Sequence, residues 1–188
     1  MEPNGRRAVL PGLSLAGLSA NFINPGDIKL YARDYYQDLS ELIAAADVVL
    51  IAASWQEWSV ERLSVTLDRL GIAAKANYIV FGHKNFGHIN RTAYTGMSSS
   101  EKSAYLNPVT DRIFNLNRLL SKTVDRSHFV DMQALLCNPS TLQCHIFNEQ
   151  GLLLSHDGSH LTQAGARYLG SRLADVPAFA RLVTAAEK

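Results

Sequence analysis

Apolar runs and amphipathic segments alternate along this chain, and the alternation limits the folds open to it. Residues 47–53 form a run dominated by apolar and β-branched side chains, which predicts a strand buried on both faces. Ser59 is predicted to cap the next helix, which ends at Gly71 and presents one apolar face through Val60, Leu63, Leu67 and Leu70. A strand followed by such a helix is typical of an α/β fold.

Further segments continue the alternation. The other predicted strands are residues 28–31, 78–81 and 129–136, and the other predicted helices are residues 35–45, a helix starting at Asn107 and Pro108, and residues 161–174. In the helix after Pro108, the inward-facing residues are Ile113, Leu116, Leu119 and Leu120. The pattern predicts a parallel sheet with helices on both faces, whose ligands bind beyond the carboxyl ends of the strands. Loops 54–58, 82–88 and 137–160 leave those ends.

The composition fits a single domain that spans residues 1–188. With 47% hydrophobic residues the chain can bury one substantial core, and its net charge of +1 provides no basic surface for nucleic acid. The apolar run 42–53 is interrupted by Asp47 and is too short to cross a bilayer. Arginines at positions 6 and 7 precede an apolar stretch, as in a secretory signal, but Pro11 and Gly12 interrupt it. We therefore predict a strand and loop there rather than a signal peptide.

The stretch Asp157-Gly158-Ser159-His160 places a carboxylate three residues before a histidine, just ahead of a predicted helix. Asp157 can accept a hydrogen bond from one imidazole nitrogen of His160, which leaves the other nitrogen free to take a proton from a nucleophile. The same spacing also suits a simpler arrangement, in which the helix dipole stabilises the aspartate and the histidine lies on the surface. Asp157 and His160 are the candidate catalytic residues of this chain.

Two blocks of the sequence resemble SGNH (GDSL-like) hydrolases. Residues 129–137, Cys144 and residues 151–162 resemble the end of such a domain, and residues 46–55 are similar to its third strand and the following loop. The resemblance covers about residues 40–175 and is closest to the C-terminal domain of acyltransferase-3 proteins, which modify cell-surface polysaccharides. It implies a three-layer α/β/α fold with a parallel, flavodoxin-like central sheet. Whether the first strand of that sheet is present in the chain stays open.

The resemblance implies a serine esterase or O-acyltransferase acting on acyl groups, such as acetyl, of cell-surface carbohydrate. In that chemistry a serine forms an acyl-enzyme, His160 acts as general base and then general acid, and Asp157 orients the imidazole. Neither a metal nor an organic cofactor is required. The resemblance also implies a membrane acyltransferase-3 domain as partner and a periplasmic location. The alternative is a catalytically inactive SGNH-like domain that binds carbohydrate or has an accessory role; a nucleotide-binding fold is disfavoured because the chain has no glycine-rich strand-to-helix turn.

The nucleophile is not evident, because the Gly-Asp-Ser block that carries it in this family does not occur in the chain. The nearest counterpart is Gly12-Leu13-Ser14, where Leu13 stands in place of the family's aspartate. Either Ser14 is the nucleophile, or the nucleophile lies upstream of Met1 and the chain is a fragment. Ser54, at the place of the family's oxyanion-binding asparagine, is predicted either to donate to a developing oxyanion or to cap the next helix.

Cys137 and Cys144 lie seven positions apart in a turn-rich segment that can close as a disulfide ring. The chain-entropy model gives such a ring about 2.5 kcal/mol. A bridge suits the periplasm that the resemblance implies, and two free thiols in a cytosolic protein are the alternative. Without matching Cys or His partners the two cysteines do not predict a zinc site.

Other side chains near these loops are candidates either for contact with a substrate or for a structural role. Trp55 and Trp58 either line a cleft for sugar or acyl groups or belong to the core. Asp131 is predicted to be structural rather than a second base. Loop 82–88 carries side chains that are suited to substrate contact but are not predicted to be catalytic: His83, Lys84 and His88.

Overall fold

A computed structural model describes residues 41–186 of the chain. Ser14, the predicted strand 28–31 and the first part of the predicted helix 35–45 lie outside these described residues. Residues 41–45 of that helix are helical, with Ile43 buried.

The described elements run in the following order. The strands are β1 Val49–Ala52, β2 Tyr78–Phe81, β3 Leu106–Pro108, β4 Phe129–Val130, β5 Cys137–Asn138 and β6 Gln143–His145. The helices are α1 Glu57–Glu61, α2 Leu63–Arg69, α3 Ser99–Ala104, α4 Arg112–Thr123, α5 Gln163–Leu173 and α6 Pro177–Ala186, with short 3-10 helices at Arg91–Tyr94 and Arg126–His128.

A parallel sheet in the order β1-β2-β4 forms the centre of the fold. On one face Ile51 and Val80 pack against leucines of α2 and α4, among them Leu63 and Leu120. On the other face α6 packs against β2 and β4. Helices therefore cover both faces of a parallel sheet, as the alternating pattern predicted.

Burial of β1 is less complete than predicted. Leu50 is 45% exposed, although its register partner Ile79 is fully buried. Partners opposite each other in register share a sheet face, so both side chains point to the layer of α6. Ala178 and Leu182 of α6 pack over Ile79 in the middle of the sheet rather than over β1.

Several element boundaries differ from the predicted ones. The helix predicted from Asn107 begins only at Arg112, because residues 106–108 pair with β6 instead. The strand predicted for residues 129–136 ends at Val130, and a turn follows it. Ser59 is not the cap of α1; Gln56 is, and the Ser59 hydroxyl bonds to its backbone N–H and C=O.

A small antiparallel sheet in the order β3-β6-β5 was not predicted. Cys137 and Cys144 lie opposite each other in it and form a disulfide, which confirms the predicted pairing. Phe86, Ile146 and Leu154 belong to a separate apolar core beside this sheet. None of the helices within residues 41–186 is both long enough and apolar enough to cross a bilayer.

Candidate acid/base site

Asp157 and His160 form a hydrogen-bonded pair through two different carboxylate oxygens. His160 Nδ1 lies 2.7 Å from Asp157 Oδ2. Asp157 Oδ1 accepts from the backbone N–H groups of Ser159 and His160, each at 2.8 Å. The predicted three-residue spacing thus builds a closed turn in which the carboxylate holds both the backbone and the ring of the histidine.

These contacts keep the carboxylate charged. The backbone N–H of His160, then its ring, then the backbone N–H of Ser159 lower the pKa of Asp157 well below its usual range. The side chains of His160 and Asp157 are 81% and 54% exposed. Because Nδ1 donates to the carboxylate, the lone pair on Nε2 of His160 is available to accept a proton from a group in solvent or on a substrate.

The buried Ser155 holds the loop that carries Asp157 and His160 through two hydrogen bonds. Its hydroxyl is buried, donates to the carbonyl of His160 at 2.8 Å and accepts the N–H of Gly158 at 2.9 Å. The Thr162 hydroxyl then caps α5 by accepting the N–H of Gly165 at 2.9 Å. A Cβ on Gly165 would lie 1.9 Å from the Leu154 carbonyl oxygen, so a glycine is needed where α5 starts against this segment.

Loop 82–88, which leaves β2, docks onto the acid/base loop. The N–H of Phe86 donates to the carbonyl of Gly158 at 2.8 Å, and Lys84 Nζ donates to the carbonyl of Ser159. Gly158 has a φ of +94°, and a Cβ there would lie 2.2 Å from the carbonyl oxygen of Gly87. Two of the three predicted carboxyl-end loops therefore meet at the Asp157–His160 pair.

Buried amide side chains hold the backbone of loop 82–88. Asn117 of α4 accepts the N–H of His83 and donates to its carbonyl, both at 2.8 Å. Gln133 does the same for Asn85, at 2.7 and 2.9 Å. Both amides are fully buried. These two residues were not predicted from the sequence, although Asn117 gave a signal as a polar residue beside Leu116 on an apolar helix face.

The loop after β1 is less closely connected to the pair. Ser54 is exposed two residues after the end of β1, and within residues 41–186 no hydrogen bond joins it to Asp157 or His160. Ser54 does not cap α1, because Gln56 does. Trp55 is buried and donates to the carbonyl of Phe81 at 2.8 Å, so of its two readings it takes the core one.

The remaining polar candidates divide into buried and exposed groups. His83 is half-buried, and burial, with smaller contributions from Lys84 and Arg112, lowers its pKa. Asp131 Oδ1 accepts from the N–H groups of Gln133 and Ala134, which is a structural role. Trp58 is 47% exposed and His88 is also exposed. In the described part of the chain, no group of three or more His, Cys, Asp or Glu side chains is placed to hold a metal ion.

Comparison with known protein families finds one family that matches most of the chain. A family described as an SGNH domain fused to AT3 (acyltransferase-3) domains matches residues 10–175, which extends the resemblance towards the N-terminus and includes Ser14 and the Asp157–His160 pair. No curated protein and no solved structure matches the chain significantly. The match confirms the resemblance and indicates a domain of the esterase and acyltransferase type. The chain belongs to the family of SGNH domains that are fused to AT3 domains.

Proposed function

We propose that this chain acts as an SGNH-type serine esterase or O-acyltransferase on acyl groups, acetyl among them, carried by cell-surface carbohydrate. The observation that carries the proposal is the contact of 2.7 Å between His160 Nδ1 and Asp157 Oδ2, with His160 largely exposed. A charged carboxylate that fixes one ring nitrogen leaves the other as a base in reach of a nucleophile.

In this mechanism His160 Nε2 takes the proton of a serine hydroxyl while the serine oxygen attacks the acyl carbonyl. The tetrahedral intermediate then expels the alcohol of the ester, which leaves with the proton held by His160, and an acyl-enzyme remains. Water or a sugar hydroxyl then attacks the acyl-enzyme and gives its proton to His160. The bond between the acyl carbon and the serine oxygen breaks, the serine takes the proton back from His160, and the acid or the new ester is released. Asp157 stabilises the imidazolium, and we assign Ser54, in the loop that follows β1, as a donor to the oxyanion.

The first candidate for the nucleophile is Ser14, because the family match includes its position. The second is a serine that this chain does not itself contain. Labelling of the chain and its Ser14→Ala and His160→Ala variants with a fluorophosphonate probe tests the first candidate. Labelling that disappears in both variants identifies Ser14 as the nucleophile. Labelling that survives Ser14→Ala rules that serine out.

The second candidate function is a carbohydrate-binding or accessory domain without catalysis. The absence of a Gly-Asp-Ser block from the sequence favours it. The expected result for such a domain is no probe labelling of the folded chain, together with binding of acylated oligosaccharides in calorimetry. Turnover of an acylated sugar by the chain would exclude this alternative.

We further propose a membrane acyltransferase-3 domain as the partner and an extracytoplasmic location. The family description, in which such SGNH domains are fused to AT3 domains, supports the partner. The disulfide between Cys137 and Cys144 supports the location, because disulfides persist in oxidising compartments.

A further inference from the structure

Lys84 contacts the acid/base loop at Ser159, one of the two residues between Asp157 and His160. Its Nζ donates to the carbonyl of Ser159, and its neighbour Asn85 donates from Nδ2 to the Ser159 hydroxyl at 3.4 Å. The carbonyl of Ser159 belongs to the same turn whose N–H groups bind Asp157. A shift of Ser159 would therefore move both members of the pair.

The backbone of loop 82–88 is held in place by hydrogen bonds on both sides of Lys84. Asn117 and Gln133 bind the backbone of the residues on either side of Lys84, and both amides are fully buried. The backbone at Lys84 thus has little freedom, and its side chain extends from a fixed point to Ser159. Buried polar networks with all partners in place hold one geometry in this way.

We propose that Lys84 is a positioning residue for the acid/base pair, which fixes the carbonyl of Ser159 and through it the turn that aligns His160 with Asp157. The inference rests on the proposed function, because alignment matters only if His160 acts as a base.

Burial and the charge of Asp157 have opposite effects on the ammonium group of Lys84. Burial disfavours the charged ammonium and lowers the pKa of Lys84, whereas Asp157 acts against that shift. Asp157 is the charged group that acts on Lys84, while Lys84 and Arg112 are the charged groups that act on the neighbouring His83. A neutral side chain would avoid the burial cost but would lose both the bond to Ser159 and the attraction to Asp157.

The test compares Lys84→Met and Lys84→Arg with the matched control Lys122→Met. Lys122 is exposed in the last turn of α4, at the opposite end of the helix from Arg112, and its replacement removes the same charge. Two readings by NMR on the full chain do not depend on catalysis: the carboxyl titration of Asp157 and the hydrogen exchange of the Ser159 and His160 amides.

In Lys84→Met we expect the pKa of Asp157 to rise and both amides to exchange faster, because the turn loses its anchor and the carboxylate loses a nearby positive charge. Lys84→Arg should restore most of both values, and Lys122→Met should change neither. If Lys84→Met does not fold, Lys84→Gln, which keeps a polar head without the charge, takes its place. The proposal would be overturned if Lys84→Met kept the wild-type pKa of Asp157 and the wild-type exchange rates. It would also be overturned if Lys84→Arg changed both as much as Lys84→Met does.

Kinetic measurements on the same variants test whether the contact of Lys84 affects catalysis. With an acylated sugar, kcat should fall roughly tenfold to a hundredfold in Lys84→Met while KM stays unchanged, as misplacement of a reacting group predicts. A rise in KM alone would contradict a positioning role. If neither the wild-type chain nor any variant turns over substrate, the chain on its own lacks the proposed activity, whereas the NMR measurements still decide whether Lys84 positions the pair.

Discussion

Asp157 uses its two oxygens for different tasks. Oδ1 binds the backbone N–H groups of Ser159 and His160, which shapes the turn, and Oδ2 binds the ring of His160, which selects the tautomer. A side chain that keeps the first task and loses the second would separate the architecture of the turn from its chemistry. Asparagine is that side chain, because its oxygen still accepts from the backbone.

We therefore expect Asp157→Asn to keep the fold and lose activity. The amide NH2 would face Nδ1, which would then have to accept, so the proton would move to Nε2 and the base would be lost. The expected fall in kcat is roughly 10⁴-fold, the size seen when the orienting carboxylate of a hydrolase triad is replaced. Hydrolysis rates and imidazole ¹⁵N shifts measure both parts, with Asp47→Asn as control. An unchanged rate would remove Asp157 from the mechanism.

Among the elements, α4 does more than cover the sheet. Its apolar side packs into the core through Leu116 and Leu120, while Asn117 on the same side binds the backbone where β2 ends. A Cβ on Gly82 would lie 2.9 Å from Nδ2 of Asn117, so the helix and the end of β2 approach closely. The helix thereby determines where loop 82–88 can go.

Replacing this amide tests the role of the helix. In Asn117→Leu, the N–H and carbonyl of His83 lose their partners in a buried place, which costs about 1–3 kcal/mol for each unsatisfied group. Urea unfolding should show a lower midpoint with an unchanged slope. Asn115→Leu is the matched control, because Asn115 is exposed on the same helix and should change stability by less than about 0.5 kcal/mol. Equal effects of the two substitutions would refute the assignment.

The predictability of these elements from sequence depended on the range of their interactions. β2 and the core of α4 were predicted, because burial on a strand or on one helix face leaves a periodic signal. The antiparallel sheet was missed, because β3 pairs with β6 across nearly forty residues and each strand is only three residues long. The contacts of Asn117 and Gln133 with loop 82–88 span 34 and 48 residues and leave no local pattern. The Asp157–His160 pair was found because it lies within one turn.

For the molecule as a whole, the loop that contacts the site runs from one apolar core to another. Val80 of β2 belongs to the core between the parallel sheet and α4, whereas Phe86, six residues later, belongs to the core beside the antiparallel sheet. Loop 82–88 therefore connects both cores, and it carries the groups that contact the acid/base loop. The single domain over residues 1–188 stays a prediction.

The pKa values of several groups are lower in the folded chain than in the unfolded chain, which predicts that the molecule loses stability in acid. Burial lowers the pKa of His83 from its ordinary value of 6.5, so between the folded value and 6.5 the unfolded chain binds a proton that the folded chain does not. The same sign holds for carboxylates whose pKa is lowered by hydrogen bonds from their own turns, namely Asp157, Asp125 and Glu101. Their stabilisation is present above their ordinary values near 4 and is lost as pH falls towards the folded values.

Stability should thus decline in two ranges as pH is lowered, first below about 6.5 through His83 and then below about 4 through the carboxylates. Free energies of unfolding from urea titrations at closely spaced pH values between 7.5 and 3 measure both. His83→Gln removes the titrating ring and should flatten the upper range while leaving the lower one. A slope above pH 5 that is the same in the variant and the wild type would show that the burial of His83 is not its cause. In that case the loop after β2 would tolerate a charged imidazole.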